Sequence, residues 1–179
     1  MLRWDKTGEG QPARRVALLA MLTAMALVLF VVEQLIPLPV AIPGIKLGLA
    51  NVVSLFAVYA LGPGEAAACL AARILLGNLV CGSVSAMLYS AAGGLCCGAV
   101  LCLLVRVIPR EQAWVLSILS ALAHILGQCA AAAWMLGSAL VLVYLPVLLL
   151  AAMGTGALTG SVVTVLLRRS ALTRLFGKK

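Results

Sequence analysis

Eight polar side chains stand inside or beside long apolar stretches of this sequence, where a polar group needs a specific partner. They are Glu33, Lys46, Asn51, Arg73, Asn78, His124, Gln128 and Tyr144. His124 and Gln128 are four residues apart and would share one face of a helix. Two cations together with amide, imidazole and carboxylate groups are suited to hold a small molecule that carries an anionic group.

The composition requires lipid as the surroundings of most of the chain. Of its 179 residues, 64% are hydrophobic and 10% are charged, and the mean hydropathy is +1.18. A soluble domain has ~25% charged residues and cannot bury this much apolar surface. The sequence therefore predicts an all-α integral membrane protein.

Six membrane-spanning helices fit the apolar stretches, because each crossing needs ~20 residues. They lie in a membrane domain over 14–169, between an N-terminal tail at 1–13 and a basic C-terminal tail at 170–179. Three prolines predict a structured loop at 37–44, which is a candidate lid over a site. The predicted spans are 16–36, 47–61, 65–80, 83–105, 114–136 and 139–167, the last long enough to span with tilt or with a distortion at Pro146.

The distribution of Lys and Arg predicts the orientation of these helices. The formal net charge is +8, and eleven of the 13 Lys and Arg residues fall on one side of the predicted membrane. Lys46 falls on the other side and Arg73 inside a helix. By the positive-inside rule, both termini are cytoplasmic. Because the basic residues are topology signals at a lipid surface, a nucleic-acid partner is not expected.

In this topology the eight polar residues fall near the middle or in the outer half of the membrane. We expect them to form a substrate-binding pocket in which Lys46 and Arg73 hold an anionic group. Glu33 would act as a counter-charge or as the partner of a substrate amine. Short or glycine-interrupted helices are also typical of transporter sites. Directional hydrogen bonds are expected from Asn51, Asn78, His124 and Gln128.

Two other interpretations stay open at this point. Arg73 could pair with Glu33 or a backbone carbonyl and only hold helices together, since a charge near mid-membrane costs at least ~2.5–3.5 kcal/mol without a partner or cavity. The chain could also be a purely structural membrane subunit. That interpretation predicts no ligand, and no effect when His124 and Gln128 are replaced together.

Small residues mark two helix faces where another helix can approach closely. Ala17, Ala20 and Ala24 lie on one face of the first span, and we interpret this face as a partner surface. Gly156 and Gly160 form a GxxxG motif in the last span. We expect this motif to pack helices within the chain, with a homo-oligomer as the alternative.

Four segments together resemble the Gx transporter family, which is also known as heptaprenyl diphosphate synthase component I. They are IPGIKLGLAN at 42–51, the helix from Arg73 to Gly77, YSAAGG at 89–94 and AHILGQ at 123–128. The resemblance extends over 14–167, which is nearly the whole chain.

Members of this family are similar in size and span number to the S components of energy-coupling factor transporters, which import vitamins and related compounds. The resemblance implies an S-component-like bundle that binds a small-molecule substrate from outside. It also implies an energising module, made of a coupling membrane protein and two ATPases, that docks on an alanine-rich face of helix 1. Ala17, Ala20 and Ala24 match that face, and the chain has no Walker motif of its own.

The synthase name implies an alternative, a non-catalytic membrane subunit beside the catalytic subunit of a prenyl synthase. All-trans prenyl diphosphate synthases hold Mg²⁺ with aspartate-rich clusters. Asp5 is the only aspartate here, and the four glutamates are scattered. We therefore expect no catalytic residues, no metal and no other cofactor. Both functions place the chain in a bacterial cytoplasmic membrane as a multi-pass protein.

Overall fold

The computed structural model describes residues 11–35, 48–81 and 84–168. These residues fold into six α-helices without a β-strand, which confirms the all-α prediction for the described part of the chain. The helices are α1 (Gln11–Gln34), α2 (Asn51–Ala60), α3 (Pro63–Cys81), α4 (Val84–Leu104), α5 (Ala113–Leu136) and α6 (Leu145–Arg168).

Among the described residues, four helical segments are long and apolar enough to cross a membrane, so the chain is a multi-pass membrane protein. With 10 residues, α2 extends over only ~15 Å, about half of a bilayer core. It begins at Asn51, not at the predicted residue 47. That α2 and α3 cross the membrane stays a prediction. The cytoplasmic location of both termini also stays a prediction. The four segments are Arg15–Glu33, Val84–Leu104, Arg110–Leu136 and Ala139–Arg168.

The last apolar segment differs from the continuous helix predicted over 139–167. A 3₁₀-helix occupies Ala139–Tyr144, and α6 begins only at Leu145. Pro146 explains the break, because proline has no N–H group and fits the first turn of an α-helix but not its interior. The distortion predicted at Pro146 is therefore a change of helix type just before it.

Helices α5 and α6 pack closely because of the GxxxG motif in α6. A Cβ atom built at Gly160 would lie 2.5 Å from the Cα atom of Trp114, and one at Gly156 would lie 3.0 Å from the Cα atom of Ile118. Both glycines are buried between these two helices. The motif thus serves packing within the chain, and it is not a surface for a homo-oligomer.

Helix α1 contacts the bundle with one face only. Leu22, Ala26 and Phe30 are buried at the spacing of one helical stripe, and the Phe30 ring lies against Gly77 of α3. Arg15, near the start of α1, forms an ion pair with Glu65, near the start of α3, over 3.9 Å. We call the end of the bundle with Arg15 and the end of α6 the terminal end, and the opposite end the distal end.

Candidate functional site

Arg73 lies in the interior of the bundle near the middle of α3, with only 4% of its surface exposed. Its Nη1 donates a hydrogen bond to Oδ1 of Asn51 at 3.1 Å. Among the described residues, its Nε has no hydrogen-bond partner and no carboxylate lies within the 4.0 Å of an ion pair. A guanidinium has five N–H donors, so Arg73 can bind more than the Asn51 amide.

Helix α2 directs two polar side chains into the bundle from its first turn. Asn51 is 7% exposed and Ser54 is 1% exposed, and their spacing puts them on one face of the helix. Asn51 Nδ2 and Ser54 Oγ have no hydrogen-bond partner within the described ranges. Buried polar groups in native proteins normally have a partner, so these atoms mark a position suited to water or a ligand.

Glu33 connects the end of α1 to the backbone just before α2. Its Oε1 accepts a hydrogen bond from the backbone N–H of Gly48. Gly48 has a φ of 84°, a left-handed conformation that residues with a side chain rarely adopt. A Cβ atom at this position would lie 2.7 Å from Asn51 Nδ2 and 3.2 Å from His124 Cδ2. Gly48 therefore lies directly against Asn51 and His124.

His124 and Gln128 share the buried face of α5, as their spacing predicts. They are 3% and 0% exposed. Both side chains pack on Gly93 of α4, where a Cβ atom would lie 2.7 Å from Gln128 Cγ and 2.9 Å from His124 Cε1. The missing side chain at Gly93 thus makes room for both of them.

Five of the predicted site residues therefore lie together, and we call them the polar cluster: Glu33, Asn51, Arg73, His124 and Gln128. Gly48 contacts three of the five. The cluster extends from the middle of the bundle towards the distal end, where α1 ends and α2 begins.

Arg73 and Glu33 are near enough to attract each other, but their described hydrogen bonds go to other groups. Arg73 donates to Asn51, and Glu33 accepts from Gly48. The direct ion pair between Arg73 and Glu33 that the structural interpretation expects is not formed in the described part of the chain.

Of the other predicted site residues, only Tyr144 has a side chain that the structure describes. Lys46, the loop at 37–44 and the side chain of Asn78 lie outside the described residues. Tyr144 ends the 3₁₀-helix before α6 and packs against a cluster of buried, mostly apolar residues contributed largely by α5 and α6. Its membership of the site stays a prediction.

Sequence reasoning did not select Gly48, Gly93 or Ser54 for the site. Ser54 could have been found, because it follows Asn51 by three residues and shares its helix face. The roles of Gly48 and Gly93 depend on which side chains of α5 approach them. That information comes from helix packing and not from local spacing.

The three alanines assigned to a partner surface are all exposed. Ala17, Ala20 and Ala24 lie on the part of α1 that faces away from its buried stripe. In a membrane this face is accessible either to lipid or to a helix of another protein.

The polar cluster combines groups that can donate hydrogen bonds to an anion with one carboxylate, that of Glu33. A guanidinium, an amide and an imidazole surround one buried region, and hydrogen bonds from a charged donor to an oxyanion are stronger than neutral ones. Within residues 11–35, 48–81 and 84–168, no group of three or more His, Cys, Asp or Glu side chains is placed to hold a metal ion.

Fold and site together define an all-helical, multi-pass membrane protein with a charged cluster inside its bundle. The family model of heptaprenyl diphosphate synthase component I matches residues 22–166. The chain therefore belongs to this family, as the sequence resemblance predicts. No curated protein and no solved structure matches the chain.

Proposed function

We propose that this protein is a solute-binding membrane component, which takes up a small anionic or amphipathic molecule through the polar cluster. The observation that carries this proposal is the state of Arg73. Its guanidinium is almost completely buried, bonded to a neutral amide, and without a carboxylate at ion-pair distance among the described residues.

A buried cation in this state is expensive unless something else compensates it. Even on insertion scales, an arginine at mid-membrane costs ~2.5–3.5 kcal/mol. A residue that only held helices together would do so at less cost if it were apolar, since buried ion pairs are often no more stable than apolar replacements. A negatively charged solute would supply a counter-charge in direct contact with Arg73, which Glu33 attracts without forming an ion pair.

The roles of the residues follow from their chemistry. Arg73 would hold the anionic group, with Lys46 as the second cation. Asn51 and the α5 pair His124 and Gln128 would orient the solute by hydrogen bonds, and Asn78 would add another. Glu33 would hold Gly48 and the start of α2 in place, because its carboxylate already accepts the Gly48 N–H.

The source of energy in this proposal is a separate module in a bacterial cytoplasmic membrane, as in the S components that the sequence resembles. The exposed face of Ala17, Ala20 and Ala24 would contact the coupling membrane protein. Two ATPases would complete the module. The solute would enter from the side of the membrane opposite to both termini.

The family description favours a second candidate, a non-catalytic membrane subunit of a prenyl diphosphate synthase. In that function the polar cluster would bind the diphosphate of an isoprenoid or a quinone precursor. Catalysis would belong to a separate subunit, because this chain has a single aspartate, Asp5, and so cannot form an aspartate-rich magnesium site.

A pull-down of the tagged protein from native membranes in mild detergent separates the two functions. We expect mass spectrometry to identify two ATPases and a coupling membrane protein. The variant A20L/A24L should lose these partners, whereas M25L, a replacement at an exposed position on another face of α1, should retain them. Recovery of an aspartate-rich prenyl synthase would instead establish the second candidate and overturn the first.

A further inference from the structure

A cavity of about 690 Å³ lies at the terminal end, separate from the polar cluster. Its wall consists of the turn between α2 and α3 and the connection between α4 and α5. The volume is within the ~300–1,000 Å³ range of small-molecule sites. Most of the wall is apolar, and the apolar residues include Val58, Leu61, Pro63, Val105, Val107 and Ile108.

Two hydrogen bonds give this cavity a defined shape. The Tyr59 hydroxyl donates to the carbonyl of Ile108 at 3.1 Å, and Arg110 Nη2 donates to the carbonyl of Tyr59 at 3.1 Å. Both bonds join α2 to the connection between α4 and α5, which are about fifty residues apart in sequence. The Tyr59 side chain is itself buried.

The charged groups of the cavity favour an anion. Arg106 and Arg110 line it, together with a single carboxylate, that of Glu65. Glu65 also forms an ion pair with Arg15 at 3.9 Å, so this carboxylate has a basic partner of its own. Arg106 is exposed and Arg110 half-buried, which leaves both guanidinium groups accessible at the mouth of an apolar cavity.

We propose that this cavity is a binding site for a phosphate-bearing amphiphile, with a lipid phosphate headgroup on Arg106 and Arg110 and apolar chain atoms along the wall. Basic pockets between membrane helices at the headgroup level are typical sites for anionic lipids. The apolar wall distinguishes the site from a general surface attraction, because free phosphate gains nothing from it. This site is independent of the solute site at the polar cluster.

Native mass spectrometry of the full-length protein in detergent, titrated with phosphatidylglycerol, tests the proposal. We expect one tightly bound lipid whose affinity falls about fivefold in R106Q and about 25-fold in R106Q/R110Q. R168Q is the matched control, since it removes the same charge at the terminal end but outside the cavity. Phosphatidylcholine should bind more weakly than phosphatidylglycerol, because its headgroup has no net charge.

The single variant R106Q keeps the test decisive if R106Q/R110Q does not fold, because Arg106 makes none of the hydrogen bonds that shape the cavity. An equal loss in R168Q and R106Q would overturn the proposal, since the attraction would then come from the surface as a whole. Displacement of the lipid by an equal concentration of inorganic phosphate would also overturn it, because the site would then take free phosphate and not an amphiphile.

Discussion

The polar cluster and the terminal-end cavity both contain arginines, but the two regions hold this residue in opposite ways. Arg73 in the cluster is 4% exposed and bonded to an amide side chain, whereas Arg106 at the cavity is exposed. A surface arginine keeps its hydration shell, and the positive-inside rule already explains its position. A buried one loses its water, so its position requires a partner or a ligand. The comparison predicts that replacements have large effects on solute binding in the first region and small ones in the second.

The variant R73M should have the largest effect. We expect the amount of small molecule that co-purifies with the protein to fall more than about 100-fold, because a charge-assisted contact worth ~3 kcal/mol is lost. The melting temperature of the ligand-free protein should be unchanged or higher. Asn51 loses one hydrogen bond worth ~1 kcal/mol, but the ~2.5 kcal/mol cost of burying a cation disappears. A strongly destabilised R73M would favour the purely structural interpretation of Arg73.

The variant N51D should reduce binding by roughly tenfold or more without removing any cation. A carboxylate at the position of the Asn51 amide would lie 3.1 Å from Arg73 Nη1 and compete with the anionic group of the solute. The measurement is again the amount of co-purified small molecule. N51A serves as the control, because it removes the Arg73 contact without adding a charge. Equal binding by N51D and N51A would show that competition by charge does not occur.

Gly93→Ala should weaken binding about tenfold by moving His124 and Gln128. The added Cβ atom would lie 2.7 Å from Gln128 Cγ, and overpacking of this kind costs ~1–3 kcal/mol. The melting temperature and the amount of retained solute should therefore both decrease. Gly154→Ala is the matched control, because a Cβ atom there meets nothing within 4 Å. If the two alanine variants behave alike, the packing of α5 on Gly93 does not position His124 and Gln128.

Glu33→Gln should have a smaller effect, of a fewfold at most, since its amide oxygen can still accept the Gly48 N–H. Glu33→Ala leaves that N–H without its acceptor and should lower the free energy of unfolding by about 1–3 kcal/mol. Chemical denaturation of both variants in detergent measures the difference. An equal loss of stability in both variants would mean that the negative charge matters more than the hydrogen bond to Gly48.

At the other end of the bundle, Arg106→Gln should leave solute retention unchanged. Its effect on stability should stay within about 0.5 kcal/mol, as for most surface replacements. Solute retention and thermal unfolding, measured beside R73M, give the direct contrast between the two regions. A loss of solute in R106Q would show that the two regions are coupled and would break the comparison.

The sequence predicted an all-helical chain and selected all five residues of the polar cluster, because hydropathy and helical spacing are local signals. The face shared by His124 and Gln128 follows from a spacing of four residues, and the burial of Arg73 follows from its place within an apolar stretch. The change of helix type before Pro146 was predicted only as a distortion. A short second helix was predicted over 47–61, but its start at Asn51, after the left-handed conformation of Gly48, was not.

The partners within the cluster could not be predicted from local patterns. That Arg73 contacts Asn51 and not Glu33 depends on how α2 lies across α3. That Gly48 and Gly93 receive the α5 side chains depends on how closely the helices approach. These are properties of tertiary packing, which a single sequence does not display. The resemblance to a family indicated the positions but not these contacts.

The most direct test of the central claim is the small molecule that the purified protein carries. Wild-type protein, R73M and R106Q are purified in parallel from the same cells and denatured, and the released compounds are identified by mass spectrometry. We expect one anionic or amphipathic compound in stoichiometric amounts from the wild type and from R106Q, and none from R73M. Release of the same compounds in equal amounts from all three proteins would contradict a solute site at Arg73.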